Sequence, residues 1–344
     1  MARRPEGDAD GGRSVASMAY PGLIAGLVLF VALLVRQGVG EVASAVAAAG
    51  PGVLVVALFH VVSMFGHALG WRELLVPAPL RAGTMLFGRW LGESVNGLLP
   101  VMQVGGNVAR ARFLARCGVP GEAAAASVVV DVTLIVLTQI VFTLLGTALL
   151  LTHLGGGRIA VVAAAGAALM AGLVGGFLVA QRRGIFAGLT RMTGRLARGV
   201  DLAALGAEAS AIDASVARLW RERVALARAS AWHFAAWVIG AGEIWLALRY
   251  LGHPVDVRTA LLIESLTQAV RAGAFAVPGA LGVQEGGYLL LGGALGLGPD
   301  TSLALSLIKR VRDLVLGLPG LIAWQVEAMT SRVRTARAER RVMT

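Results

Sequence analysis

A chain of 344 residues with 57% hydrophobic and 15% charged residues lies outside the range of soluble domains, and its mean hydropathy of +0.75 makes the bilayer its solvent. The net charge of +11 does not indicate nucleic acid, because the arginines are confined to a few segments between long apolar runs, the pattern by which loop charge orients a membrane protein. The single cysteine, Cys117, excludes an intrachain disulfide and a cysteine-clustered metal site; no metal-ligand spacing, phosphate loop or nucleophile–base order stands out, so no metal or cofactor is expected.

Residues 1–18, with Arg3, Arg4 and Arg13, read as a cytoplasmic tail. An apolar run over 20–35 follows, and Arg36 and Gln37 stand where a signal peptide would carry its small-residue cleavage site, so an uncleaved first helix is expected. Further full spans are predicted at 50–70, 122–151, 159–180, 229–250 and 300–326. Each approaches the roughly 20 apolar residues that cross a hydrocarbon core about 30 Å thick. Two apolar segments are interrupted: 84–105 by Arg89, Glu93, Asn96 and Pro100, and 259–297 by Glu264, Gln268, Arg271 and Pro278. The expected class is therefore an all-α polytopic membrane protein with six full spans and two broken re-entrant hairpins.

One transmembrane domain, 19–328, is expected, its halves 50–181 and 229–328 separated by a basic loop, 182–228, and followed by a basic tail, 329–344. The loop holds nine Arg against four acids and the tail five Arg against one Glu, whereas 152–157 holds no charged residue. Cytoplasmic loops collect Lys and Arg, so the N-terminus, the basic loop and the C-terminus are placed in the cytoplasm. In the loop, Ile185, Leu189, Met192 and Leu196 share one helical face with Arg191, Arg195 and Arg198 opposite, which suits a helix lying on the anionic inner leaflet; a solvated linker helix is the plain alternative.

The interrupted segments resemble each other. Glu93-Ser94 matches Glu264-Ser265, Pro100 matches Pro278, and Gln103-Val104-Gly105-Gly106 matches Gln284-Glu285-Gly286-Gly287, in the same order but with different spacing. Eleven residues after Pro120 and after Pro299 stand Asp131 and Arg310. The topology gives the two copies opposite orientations, as in transporters whose broken helices flank a midplane site. Pro100, Gly105, Gly106, Pro278, Gly282, Gly286 and Gly287 supply the breaks, which irregular backbone at membrane depth requires to line a protein cavity. Helices restarting near Gly105 or Gly286 would aim free N–H groups there.

Asp131 and Arg310 both fall about 16 Å into their helices and are expected to face each other across the pseudo-twofold axis; a pair that only fixes packing is the plainer reading. Asp313 is within helical reach of Lys309 and Arg310, which with Arg312 leaves a surplus positive charge suited to an anionic head group. Glu93 has Arg89 one turn before it. Glu264 and Glu285 look freer to bind substrate or carry a proton, and Glu93, Asn96, Gln103 and Gln284 join Asp131, Arg310 and Asp313 as the other candidate substrate-binding residues. Glu243 is an isolated intramembrane acid, and His60, His67 and His233 read as core or interfacial residues.

Gly92-Glu93-Ser94-Val95-Asn96 through Leu99-Pro100, Gly105-Gly106, Asp131, Pro278 to Gly282 with Glu285, and Arg310 with Leu318-Pro319-Gly320 together resemble the lysylphosphatidylglycerol synthase transmembrane, or flippase-like, family. The similarity is to its hopanoid-biosynthesis-associated branch. The resemblance implies a module that moves a membrane lipid, phospholipid or hopanoid, between leaflets of a bacterial inner membrane, with lipid-biosynthesis enzymes as possible partners. Only 14 residues follow Thr330, so the soluble aminoacyl-transferase domain of the full-length synthases is not expected, and neither is lipid aminoacylation. The alternatives are an integral-membrane enzyme acting on a lipid-linked substrate and a non-transporting scaffold.

Overall fold

The computed structural model of the chain describes residues 50–99, 104–154, 202–273 and 283–342, with a few isolated positions besides. The expected spans 20–35 and 159–180, the amphipathic stretch 185–196, and Pro100, Gln103, Pro278 and Gly282 lie outside the described residues. Those described form nine helices and no strand: α1 Gly52–Glu73, α2 Ala82–Leu98, α3 Gly105–Arg116, α4 Gly121–Leu154, α5 Leu202–Leu219, α6 Arg223–Tyr250, α7 Val257–Gly273, α8 Val283–Ala294 and α9 Pro299–Val342. Three of them, over 52–73, 121–152 and 223–250, are long and apolar enough to cross a membrane. The expected span at 300–326 is continuous helix within α9, but carries Lys309, Arg310, Arg312 and Asp313 in its interior.

Local sequence explains the starts and breaks. Pro120 and Pro299 open the longest two helices, where a fixed φ is pre-organised and no amide is lost, and Glu122 and Asp300 meet the positive end of the helix dipole in each first turn. Each interrupted segment has a helix on either side of its proline, α2 and α3 in the first and α7 and α8 in the second. Helix α3 restarts at Gly105, as anticipated, whereas α8 restarts at Val283, ahead of Gly286. In the first hairpin the limbs run antiparallel: Gly88 lies against Phe113, Gly92 against Arg110, and Asn96 Oδ1 accepts the Gly106 N–H at 2.8 Å.

Helices α1–α4 and α6–α9 repeat the same sequence of elements, with both second helices 17 residues long and both third helices 12. Their packing repeats too. Helix α4 lies against α7 as α9 lies against α2, and α4 against α6 as α9 against α1. Equivalent residues make equivalent crossings: Ser94 of α2 abuts Gly320 of α9, and Ser265 of α7 abuts Gly146 of α4. A side chain at either glycine would collide with the serine, so both are close backbone approaches.

The two first helices, α1 and α6, pack directly and antiparallel. Gly52 meets Tyr250, Phe59 meets Gly242, Gly66 meets Ala236 and Gly70 meets His233. Counterparts that run antiparallel are related by an axis perpendicular to them, so the repeat is inverted, as its sequence implied. Helix α5 falls inside the segment expected as a basic loop. Its Val216 and Leu219 are buried against Leu74, Val130 and Leu134, so that stretch docks on the bundle. Helix α6 begins at Arg223, ahead of the expected 229.

Two apolar clusters bracket the middle of the bundle. One unites Val53, Val56, Ile244, Ile263, Tyr288, Leu305 and Ile308; the other unites Ala68, Trp71, Leu75, Met85, Leu114 and Val128. Along α1, His60, Ser63 and His67 fall between them. At about 1.5 Å per residue these side chains occupy the central stretch of a helix roughly 33 Å long.

Candidate functional site

The polar belt left between the apolar clusters is a chain of ionisable side chains from both units. It begins at Asp131, fully buried on α4 on the same face as Ala124, Val128 and Leu134. Arg110 Nη2 of α3 donates to Asp131 Oδ2 at 2.5 Å, Arg89 Nη1 of α2 lies 3.5 Å from that oxygen, and His233 Nε2 of α6 lies 3.1 Å from Oδ1. The Arg110 guanidinium also lies 4.0 Å from the Trp71 ring centroid, a cation–π contact that a planar guanidinium makes well. Behind it His233 Nδ1 lies 3.0 Å from His67 Nδ1.

Arg89 carries the chain onward. Its Nε donates to Glu93 Oε1 at 2.6 Å, the pair one turn apart that the sequence indicated. Glu93 Oε2 is 3.4 Å from His60 Nε2, and His60 Nδ1 is 2.7 Å from Glu243 Oε1. Glu243 is the hub of the second half: Arg312 Nη1 pairs with it, and Lys309 Nζ lies 3.7 Å away. Lys309 Nζ donates to Glu264 Oε2 at 2.6 Å, Gln268 Nε2 donates to Glu264 Oε1 at 2.8 Å, and Arg312 Nη2 donates to Asp313 Oδ1 at 2.6 Å. Ions removed from water cost several kcal/mol each unless paired and hydrogen-bonded, which is why the members interlock.

This geometry corrects several expectations. Asp131 does not pair with Arg310 across the axis. Each midhelix charge is matched by the short helix before it in its own unit: Asp131 by Arg110, and Arg310 by Glu285, whose Oε1 is 2.9 Å from Arg310 Nε. Asp313 pairs with its neighbour Arg312, not with Lys309 or Arg310. Glu264 is not free, since Lys309 holds it, and Glu285 is held by Arg310 and by Ser306 Oγ at 3.3 Å. Glu243 is not isolated, and His60 belongs to the network.

Nor do the described residues of the network leave a surplus cation. The linked carboxylates Asp131, Glu93, Glu243, Glu264 and Asp313 face Arg110, Arg89, Arg312 and Lys309, with Arg271 acting electrostatically on Asp313 as a fifth cation. Of the other expected residues, Asn96 ties the first hairpin together, and Gln284 is buried with its Nε2 3.2 Å from Ser306 Oγ. Gly105 opens α3, Gly106 packs on Gly92 and Asn96, and Gly286 and Gly287 lie near the start of α8, where Gly287 contacts Val270.

Nothing in the linear sequence marked His60, Arg110 and Glu243 as members of the network, and Lys309 and Arg312 were expected only as part of a cation cluster beside Arg310. Helical periodicity held the signal for the last two. Leu305, Ile308, Lys309 and Arg312 repeat at i, i+3, i+4 and i+7 and are all buried, while Arg310 sits off that face. The network opens outward at Glu93, Asp313 and His60, whose side chains are 32%, 31% and 22% exposed.

Over residues 21–320 the sequence matches the family described as the lysylphosphatidylglycerol synthase TM region. The chain belongs to that family. No curated protein and no solved structure matches it. As a member of the lysylphosphatidylglycerol synthase TM family and an all-α membrane protein, it has an integral membrane, lipid-related function. Among the described residues of that region, two antiparallel four-helix units are joined by a buried ionic chain.

Proposed function

We propose that this protein is a flippase-like lipid translocator, in which a charged lipid head group passes along the ionic chain between the two units while the apolar tail stays in the membrane. The observation that carries the reading is the continuity of that chain: side chains from α1, α2, α3, α4, α6, α7 and α9 link one unit's interior to the other's. A head group entering from the surroundings meets the partly exposed Glu93, Arg89, His60 and Asp313 first. It exchanges with one internal partner at a time, so that no ion is left bare in a medium of low dielectric constant. The antiparallel units offer equivalent routes from opposite ends, the arrangement alternating access uses.

On this reading the protein sits in a bacterial inner membrane with both termini cytoplasmic and the basic segment 182–228 against the anionic leaflet. Its cargo is a phospholipid or a hopanoid, delivered by lipid-biosynthesis enzymes. The test is a leaflet-accessibility assay in vesicles containing purified protein and a fluorescent phospholipid, with a membrane-impermeant quencher outside. Wild-type protein is expected to expose both leaflets to the quencher. The double variant Arg89→Gln, Glu93→Gln is expected to expose only the outer one, while Arg116→Gln, which breaks the surface pair with Glu327, behaves as wild type. Equal quenching with the double variant would remove the assigned path. A chemically altered lipid found by mass spectrometry would replace the translocator with an enzyme.

A further inference from the structure

His60 is gripped by both units through groups that make incompatible demands. Its Nε2 lies 3.4 Å from Glu93 Oε2 of the first unit, and its Nδ1 lies 2.7 Å from Glu243 Oε1 and 3.2 Å from Arg312 Nη1 of the second. A ring nitrogen carries a proton and donates, or carries a lone pair and accepts. At Nδ1 the carboxylate can only accept and the guanidinium can only donate. A neutral ring protonated on Nε2 serves Glu93 and Arg312. A neutral ring protonated on Nδ1 serves Glu243 but turns a lone pair toward Glu93. Only the doubly protonated ring serves both carboxylates, and it then opposes Arg312.

The surroundings decide what that extra proton does. Facing His60 are Arg89 and Glu93 on α2, Glu243 on α6, and Arg312 and Asp313 on α9; beyond them lie Lys309 with Glu264, and Arg271 acting on Asp313. Among the described residues four carboxylates stand against four cations, and behind them Arg110 matches the charge of Asp131, which Arg89 also approaches at 3.5 Å. With His60 neutral the network is balanced. Its protonation leaves one positive charge uncompensated in the bundle interior, a state that is costly unless an anion enters. Glu93, Asp313 and His60 are the partly exposed members, so proton and anion meet the network at the same place.

We propose that His60 is a proton-binding site that couples uptake of one proton to binding of an anionic, phosphate-bearing head group, so that a proton gradient drives translocation. The coupling rests on the translocator reading, but its central test does not need transport. Short-chain phosphatidylglycerol is added to purified protein in weakly buffered detergent solution, and binding and pH change are followed together. Wild-type protein is expected to take up about one proton per lipid bound, the stoichiometry that protonation of a single imidazole gives.

His60→Gln is expected to lose that uptake and bind the lipid more weakly. His60→Lys, with its charge fixed, is expected to bind without taking up a proton, which a merely structural role for His60 would not give. Short-chain phosphatidylcholine, with no net charge, is expected to draw no proton. Absence of uptake by the wild type, or undiminished uptake by His60→Gln, overturns the proposal. In vesicles, lipid movement at a rate independent of pH would overturn the coupling and leave the translocator standing. His60-dependent proton uptake without any lipid movement would do the reverse.

Discussion

The pairing of Asp131 with Arg110 instead of Arg310 is open to a double-mutant cycle. Asp131 and Arg110 are 0% and 3% exposed and 2.5 Å apart, so removing one partner strands a buried ion. Such losses run to about 3–5 kcal/mol. Arg89 at 3.5 Å and His233 at 3.1 Å still share Asp131 with Arg110, which places each of Asp131→Asn and Arg110→Met toward the lower end, about 3 kcal/mol. The double variant should cost little more than either single one, giving a coupling of roughly 2–3 kcal/mol. For Asp131→Asn with Arg310→Met, which share no partner among the described pairs, the two effects should add to within about 0.5 kcal/mol. Equilibrium unfolding in mixed detergent micelles, at one detergent composition, measures the wild type and all five variants. A coupling below about 0.5 kcal/mol for Asp131 with Arg110, or an equal coupling with Arg310, would refute the intra-unit pairing.

Lys309→Met should destabilise more than Arg310→Met in the same assay, by about 2 kcal/mol, because Lys309 is fully buried between Glu264 and Glu243 whereas Arg310 is part-exposed beside Glu285. The inverted repeat predicts that Ser63→Cys with Gly240→Cys, in a Cys117→Ser background, forms an intrachain disulfide on oxidation, seen as a mobility shift that reductant reverses; parallel packing of α1 and α6 would give none. Gly146→Leu and Gly320→Leu should each lower the yield of folded, monodisperse protein on gel filtration, since a side chain at either position meets Ser265 or Ser94, and overpacking costs about 1–3 kcal/mol.

Sequence alone determined the all-α membrane class and the repetition of two interrupted helical segments. Each depends on local properties: apolar length, proline and glycine punctuation, and the order of short motifs. Glu93-Ser94 and Glu264-Ser265 were legible as equivalents because their serines make the same crossing on a glycine of the other unit. The i,i+4 pair of Arg89 with Glu93 was legible because helix geometry fixes it.

Only the tertiary structure decided which charges meet. Asp131 and Arg310 lie at similar depths in their helices, but depth fixes one coordinate and leaves the direction around the helix open. That direction follows from the buried face, which on α9 puts Lys309 and Arg312 inward and on α4 aims Asp131 at Arg110. Glu243 and His60 stand 183 residues apart, and their contact exists only because α1 and α6 pack antiparallel around the middle of the bundle. Where partners are chosen by helix rotation and crossing, composition can count the charges, but three dimensions are needed to pair them.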